Sequence, residues 1–211
     1  MARSWVIWTS MVSSVPRFIW ISKLNILGGF YGQNLFVPVL KADWRLDAGP
    51  PGHSVTLSDL QESVGDLIYS PFILTFHSEN GLLYAVTALD IYTSTGPYNK
   101  KHLVNIGKND WTFEPVFTIT GFLPQHRNLS ASIKLMYDFN TKNHVVFGPT
   151  GLKTYLTPGQ EFHFDYGIDY VLTKSFRVGI GGCFCQQTTN DKLRGETVKH
   201  DKGRVFSIFP P

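Results

Sequence analysis

Apolar and polar residues alternate with a period of two along much of this chain. From Leu129 the odd positions read Leu129, Ala131, Ile133, Leu135, Tyr137 and Phe139, and the even positions read Ser130, Ser132, Lys134, Met136, Asp138 and Asn140. Successive side chains of a strand point to opposite faces, so this run predicts a strand with one apolar face and one wet face. Glu161–Leu172 repeats the pattern in the other phase, with Phe162, Phe164, Tyr166, Ile168, Tyr170 and Leu172 opposite Glu161, His163, Asp165, Gly167 and Asp169. Phe176–Gln187, Trp111–Thr120 and Leu83–Tyr92 behave likewise. Asn34–Trp44 and Asp66–His77 are strand-like with poorer alternation, and two further strands are expected within Arg17–Tyr31. Pro38, Pro71 and Pro115 fall inside these runs and weaken them locally, because proline has no N–H for the ladder.

The connections add a second pattern. Ser78-Glu79-Asn80-Gly81, the stretch between Thr120 and Leu129, and the step from Leu172 to Ser175 are short. The stretches from Tyr92 to Trp111, from Asn140 to Gln160 and from Thr188 to Gly203 are long and polar. Short and long links therefore alternate, as in outer-membrane barrels, where one end carries tight turns and the other long loops. The runs are also close to the roughly 9–11 residues that a tilted membrane-spanning strand needs. Soluble strands are typically about half that length. The expected fold is an all-β, antiparallel transmembrane barrel, with the whole chain as one domain.

Composition sharpens this reading. Of the 211 residues, 17% are charged and 14% aromatic, against a charged share of roughly 25% in ordinary soluble domains. No apolar run approaches the roughly 18 residues of a membrane-spanning helix. The net charge of +3 comes from scattered basic residues, which gives no nucleic-acid footprint. The apolar segment Met1–Val15 has no small-residue cleavage site of the secretory kind and reads as mature sequence. Cys183 and Cys185 alternate on one strand, where a bridge would be strained, so both are expected as free thiols.

In such a barrel, charged side chains avoid lipid. Asp90, Glu114, Lys134, Asp138, Glu161, His163, Asp165, Asp169 and Arg177 are therefore expected to line the lumen. Trp44, Tyr92, Trp111, Tyr137, Phe139, Phe162 and Tyr170, near the ends of runs, are expected as interfacial aromatics. Glu161, His163 and Asp165 share ligand chemistry, yet side chains along one strand rarely converge on an ion. They are read as polar wall, with no metal and no cofactor. No G-x-S-x-G nucleophile motif occurs, and no catalytic residue is assigned. The function expected is a pore or uptake channel. A plugged structural or adhesive barrel and a soluble β-sandwich or lipocalin-like binder are the alternatives.

Several strings carry a family resemblance. They are Gly65-Asp66-Leu67-Ile68-Tyr69-Ser70-Pro71, the stretch Leu89–Tyr98, Asn105–Pro115, Leu135–Asn143, Gly159–Tyr166 and Gln186–Asp191, in that order. Together they resemble the bacterial outer-membrane family named for the meta-pathway of phenol degradation, from about Val15 to about Gly195. The resemblance implies a barrel of about twelve strands and uptake of hydrophobic or aromatic compounds. Outer-membrane lipid, the barrel-assembly machinery and a small hydrophobic or aromatic solute are the implied partners, with no nucleic acid. It also implies a signal peptide and a strand upstream, and further strands beyond Arg204-Val205-Phe206. The reading frame is therefore expected to be incomplete at both ends, with Phe209 near the end but not terminal.

Overall fold

The computed structural model describes residues 6–14, 16–48, 55–102, 104–147 and 153–209. They form strands and turns, with no helix among the described residues. In chain order the strands are β1 (Val6–Ser14), β2 (Arg17–Ile26), β3 (Gly29–Phe36), β4 (Val39–Ala48), β5 (Val55–Val64), β6 (Ile68–His77), β7 (Leu83–Tyr92) and β8 (Thr112–Phe122). There follow β9 (Leu129–Asn140), β10 (Asn143–Phe147), β11 (Lys153–Thr157), β12 (Glu161–Thr173), β13 (Phe176–Gln187), β14 (Lys192–Leu193), β15 (Glu196–Thr197) and β16 (Arg204–Phe209).

Nine of these strands make one antiparallel sheet in the order β16-β13-β12-β9-β8-β7-β6-β3-β2. This is an up-and-down meander from which three excursions leave, all at the same end. The first is a three-stranded sheet, β1-β4-β5, which continues β2, β3 and β6 beyond a break. The expected single strand Asn34–Trp44 is split there, at Val37–Pro38. Pro38 cannot donate to a ladder, and the chain instead bridges the break through Val37 N to Pro16 O at 3.0 Å and Gly65 N to Pro38 O at 2.7 Å. The second excursion is the β10–β11 hairpin and the third is β14–β15, and these join into a four-stranded sheet.

Segregation of link length by end is complete among the described residues. Leu27–Gly28, Ser78–Leu82, Leu123–Asn128 and Lys174–Ser175 close one end, while the β4–β5, 93–111, β10–β11 and β14–β15 segments crowd the other. The two-residue turn between β2 and β3 uses Leu27 at φ 53° and Gly28 at φ 86°, with Asn25 Oδ1 accepting from Gly28 N at 3.0 Å. Only glycine adopts the second of these angles without strain.

The strands of the main sheet have membrane-spanning length. β7 has 10 residues, β8 11, β9 12, β12 13 and β13 12. The β12–β13 ladder runs unbroken from Glu161↔Gln187 to Val171↔Arg177, and Pro71 sits at a register shift between Tyr69 and Phe72.

The sheet is strongly curled. Arg17 on β2 and Lys134 on β9 line one cavity of about 390 Å³, although five strand-to-strand steps separate them. Flat, those steps would span roughly 24 Å at about 4.8 Å each. The sheet order ends at β2 and β16, and among the described residues no ladder joins these edges.

Burial is inverted relative to a soluble fold. The buried hydrophobic side chains among the described residues are Ala42, Leu74, Val116 and Met136, whereas Asn34, Ser70, Thr112, Glu114 and Ser130 are buried polar ones. The convex face exposes Phe113, Phe117, Ile168, Leu172, Phe176, Val178, Ile180, Phe206 and Ile208. A soluble sandwich would hide this face against a second sheet. Among the described residues, the other sheets are the two extensions at one end.

Candidate functional site: the concave wall

Cross-strand partners lie on the same face of a sheet, so the register assigns side chains to the concave wall. Asp90 stands opposite Glu114, Glu161 opposite Asp138, Asp165 opposite Lys134, and Asp169 opposite Ser130. Arg177, opposite Val171, completes the set at the edge of the short-turn end. The structure therefore places all nine of the charged residues singled out in the sequence on one face. Asp165 and Arg177 are the most exposed of them.

Within this wall, hydrogen bonds link neighbouring strands into a belt. Arg17 Nε donates to Asn34 Oδ1 at 2.9 Å, Asn34 Nδ2 reaches Ser70 Oγ at 3.4 Å, and Ser70 Oγ donates to Asp90 Oδ1 at 2.5 Å. Farther round, Tyr92 OH donates to Glu114 Oε2 at 3.4 Å. His163 Nε2 lies 3.2 Å from both Glu114 Oε2 and Asp138 Oδ1. Cys185 Sγ reaches Glu161 Oε2 at 3.5 Å, and Cys183 and Cys185 are both free thiols. Toward the short turns, Asp169 accepts from Ser130 Oγ and pairs with Arg177 Nη1 at 2.9 Å. Glu114 is 1% exposed and its Oε1 has no hydrogen-bond partner.

Sequence reasoning missed Arg17, Asn34 and Ser70. The strands of Asn34 and Ser70 carry register shifts, between Gly32 and Asn34 and between Tyr69 and Phe72, which break the period-two pattern where it would have marked those two residues. These residues line the 390 Å³ cavity with Asp90 and Lys134, and its remaining lining is mostly aliphatic: Ile19, Ile21, Ile73, Val86 and Val116. The cavity lining thus mixes apolar side chains with two cations, one carboxylate and the polar Asn34, Ser70, Thr75 and Thr118.

The metal-type set also differs from the one weighed in the sequence. Glu161, His163 and Asp165 follow one strand. The structure instead brings Glu114, Asp138 and His163 together from β8, β9 and β12, with their donor atoms within 4.8 Å of one another. No one-strand pattern could show this, because the convergence is made by pairing.

The expected aromatic girdle is partly rearranged. Trp111 and Phe139 are exposed near the long-loop end of the convex face, and the rings of Tyr137 and Phe139 lie 4.8 Å apart. Phe162, opposite Tyr137, is half-buried at the same end. Tyr170 is exposed near the short turns. Tyr92 faces inward, because it stands opposite buried Thr112 and bonds to Glu114. Trp44 lies on β4, opposite Thr9 and Asp59, in the three-stranded extension.

The long 93–111 segment folds back at the long-loop end. Asp66 anchors it, accepting from Gly96 N and Lys108 N, both at 2.7 Å. Gly96 and Gly107 pack backbone to backbone, so that a Cβ on Gly107 would lie 2.4 Å from Gly96 O. His102 reaches Asp59 of β5 at 3.2 Å. Asp110 is 6% exposed with an unpartnered Oδ1. Burial pushes its carboxyl up to about 6, Asp66 adds to that shift, and Lys108 opposes it.

Comparison with known proteins agrees with this geometry. The family model described as "Putative MetA-pathway of phenol degradation" matches residues 9–210. No curated protein sequence matches the chain. Among solved structures, an outer membrane channel from Pseudomonas putida F1 is similar with a TM-score of 0.69 and 14% identity, over 95% of this chain and 69% of that one.

Proposed function

The chain belongs to the family described by the phenol-degradation MetA pathway, and from that premise we propose that it works as a bacterial outer-membrane channel for small hydrophobic or aromatic solutes. The observation that carries this reading is the inverted burial. A convex face of exposed Phe, Ile, Val and Leu is stable against lipid and costly against water. The polar groups it would otherwise present are turned onto the concave wall and satisfied there by one another. Outer-membrane lipid is the partner of the convex face, and the barrel-assembly machinery is the partner that inserts it.

The wall suits passive transfer rather than catalysis. Aliphatic side chains such as Ile19, Ile21, Ile73 and Val116 offer contact to an apolar ring. Arg17 and Lys134 offer a carboxylate or hydroxyl a charged partner in the lining of the same cavity. Hydrophobic contact with a few polar anchors gives modest affinity, which is what release on the far side requires. Charges of both signs along the wall oppose strong ion selectivity.

The experiment is conductance in planar bilayers together with uptake of benzoate and of benzyl alcohol by vesicles holding the purified full-length protein. Stepwise conductance and uptake of both solutes are expected. A heat-modifiable, folded barrel that passes neither current nor solute refutes the channel reading and leaves a plugged surface barrel in its place.

A further inference from the structure

Glu114, Asp138 and His163 come from three neighbouring strands and present a carboxylate, a second carboxylate and an imidazole to one point on the concave wall. We propose that these three side chains bind one divalent transition-metal ion of the Zn²⁺ type, with a fourth coordination position left open to the lumen.

The spacing suits such an ion. Zinc bonds of about 2.1 Å set tetrahedral ligand atoms about 3.4 Å apart. His163 Nε2 already stands 3.2 Å from both Glu114 Oε2 and Asp138 Oδ1, and all three donors lie within 4.8 Å. Two edges of the coordination polyhedron are therefore present before an ion enters.

An independent observation comes from Glu114 itself. Its side chain is 1% exposed, Oε2 is engaged by Tyr92 and His163, and Oε1 has no partner. A buried carboxylate oxygen without a donor is costly, and an ion held by both carboxylate oxygens of Glu114 removes that cost. Tyr92 also orients the liganding carboxylate through a hydrogen bond to Oε2, as outer hydrogen bonds do at metal sites.

The donor set selects the class of ion. Calcium and magnesium take six or more oxygen ligands, whereas an imidazole with two carboxylates suits zinc and its first-row neighbours. Cys185, directly across from His163 on β13, is turned to Glu161 and stands outside the set. Three protein ligands make an open site, so the ion is positioned to meet a passing carboxylate or phenolate oxygen.

The test titrates ZnCl₂ into the folded full-length protein in detergent by calorimetry, with excess Ca²⁺ present, and repeats it on His163→Ala, Asp138→Asn and Cys185→Ser. A heat-shift gel verifies folding of each variant. One Zn²⁺ per chain is expected, weakened by about tenfold or more in His163→Ala and Asp138→Asn, and unchanged in Cys185→Ser and in Ca²⁺. No Zn²⁺ binding by the folded protein overturns the proposal and leaves His163 as a bridge between two acids. Binding that persists in His163→Ala, or disappears in Cys185→Ser alone, also overturns it by placing the ion elsewhere. Conductance is read separately, so loss of the metal site and failure of the channel reading remain distinct results.

Discussion

Replacing Ile168 by arginine tests which solvent each face of the sheet meets. Ile168 lies near the middle of β12, stands opposite Ala131 and Ile180, and is 50% exposed on the convex face. If that face meets hydrocarbon, an arginine near the midplane costs roughly 2–4 kcal/mol. At about 1.4 kcal/mol per decade this lowers the folding equilibrium by roughly 30- to 700-fold. The control is Ser132→Arg on the concave face, opposite Gly167, where the missing side chain leaves room. Ser132 gives up one hydrogen bond, with Thr120 Oγ1 at 2.9 Å, for which about 1 kcal/mol is expected. The assay is urea titration of the protein in lipid vesicles, with the heat-modifiable gel band as the measure of folded fraction. The convex substitution should lower stability by at least about 1 kcal/mol more than the concave one. Equal effects, or a larger effect at Ser132, would refute the assignment of lipid to the convex face.

Two further outcomes concern the 93–111 segment. Gly107→Ala should loosen its packing on Gly96, where the added methyl group would lie 2.4 Å from a carbonyl oxygen. The overpacking cost is about 1–3 kcal/mol, and faster hydrogen exchange at Gly96–Asp110 with an unchanged barrel heat shift is the readout. Asp110 has its folded-state pKa raised to about 6 from 3.8, so its contribution is fully present below pH 3.8 and is lost as pH rises through about 6. Asp110→Asn should therefore remove a decline in thermal stability between those pH values, and a variant that keeps the parent's slope would show that Asp110 does not cause it.

Much of this architecture was legible in the sequence because lipid enforces a simple code. Leu83–Tyr92, Leu129–Asn140 and Phe176–Gln187 appear in the structure with the same bounds. The expected run Trp111–Thr120 moved by only one or two residues, to Thr112–Phe122. In each run the charged positions share a face, since a strand's side chains can do nothing but alternate. Legibility failed where the backbone departs from a regular ladder. Pro38 divides β3 from β4, and the shifts near Gly32 and Pro71 hid Asn34 and Ser70. The strands β1 and β5 were not anticipated, and they belong to the extension beyond the break at Val37–Pro38.

Local pattern alone determined the all-β character, the span of the main strands and which side chains must avoid lipid. Each of these follows from the period of a strand and the cost of a charge in hydrocarbon. Tertiary structure decided what no single strand encodes. The curl of the sheet joins Arg17 and Lys134 around one cavity. The pairing of β8, β9 and β12 brings Glu114, Asp138 and His163 to one point, and turns Tyr92 inward to hold Glu114. Neighbours across strands are set by register and curvature, which depend on every pairing in the sheet at once, so their convergence exists only after the wall has formed.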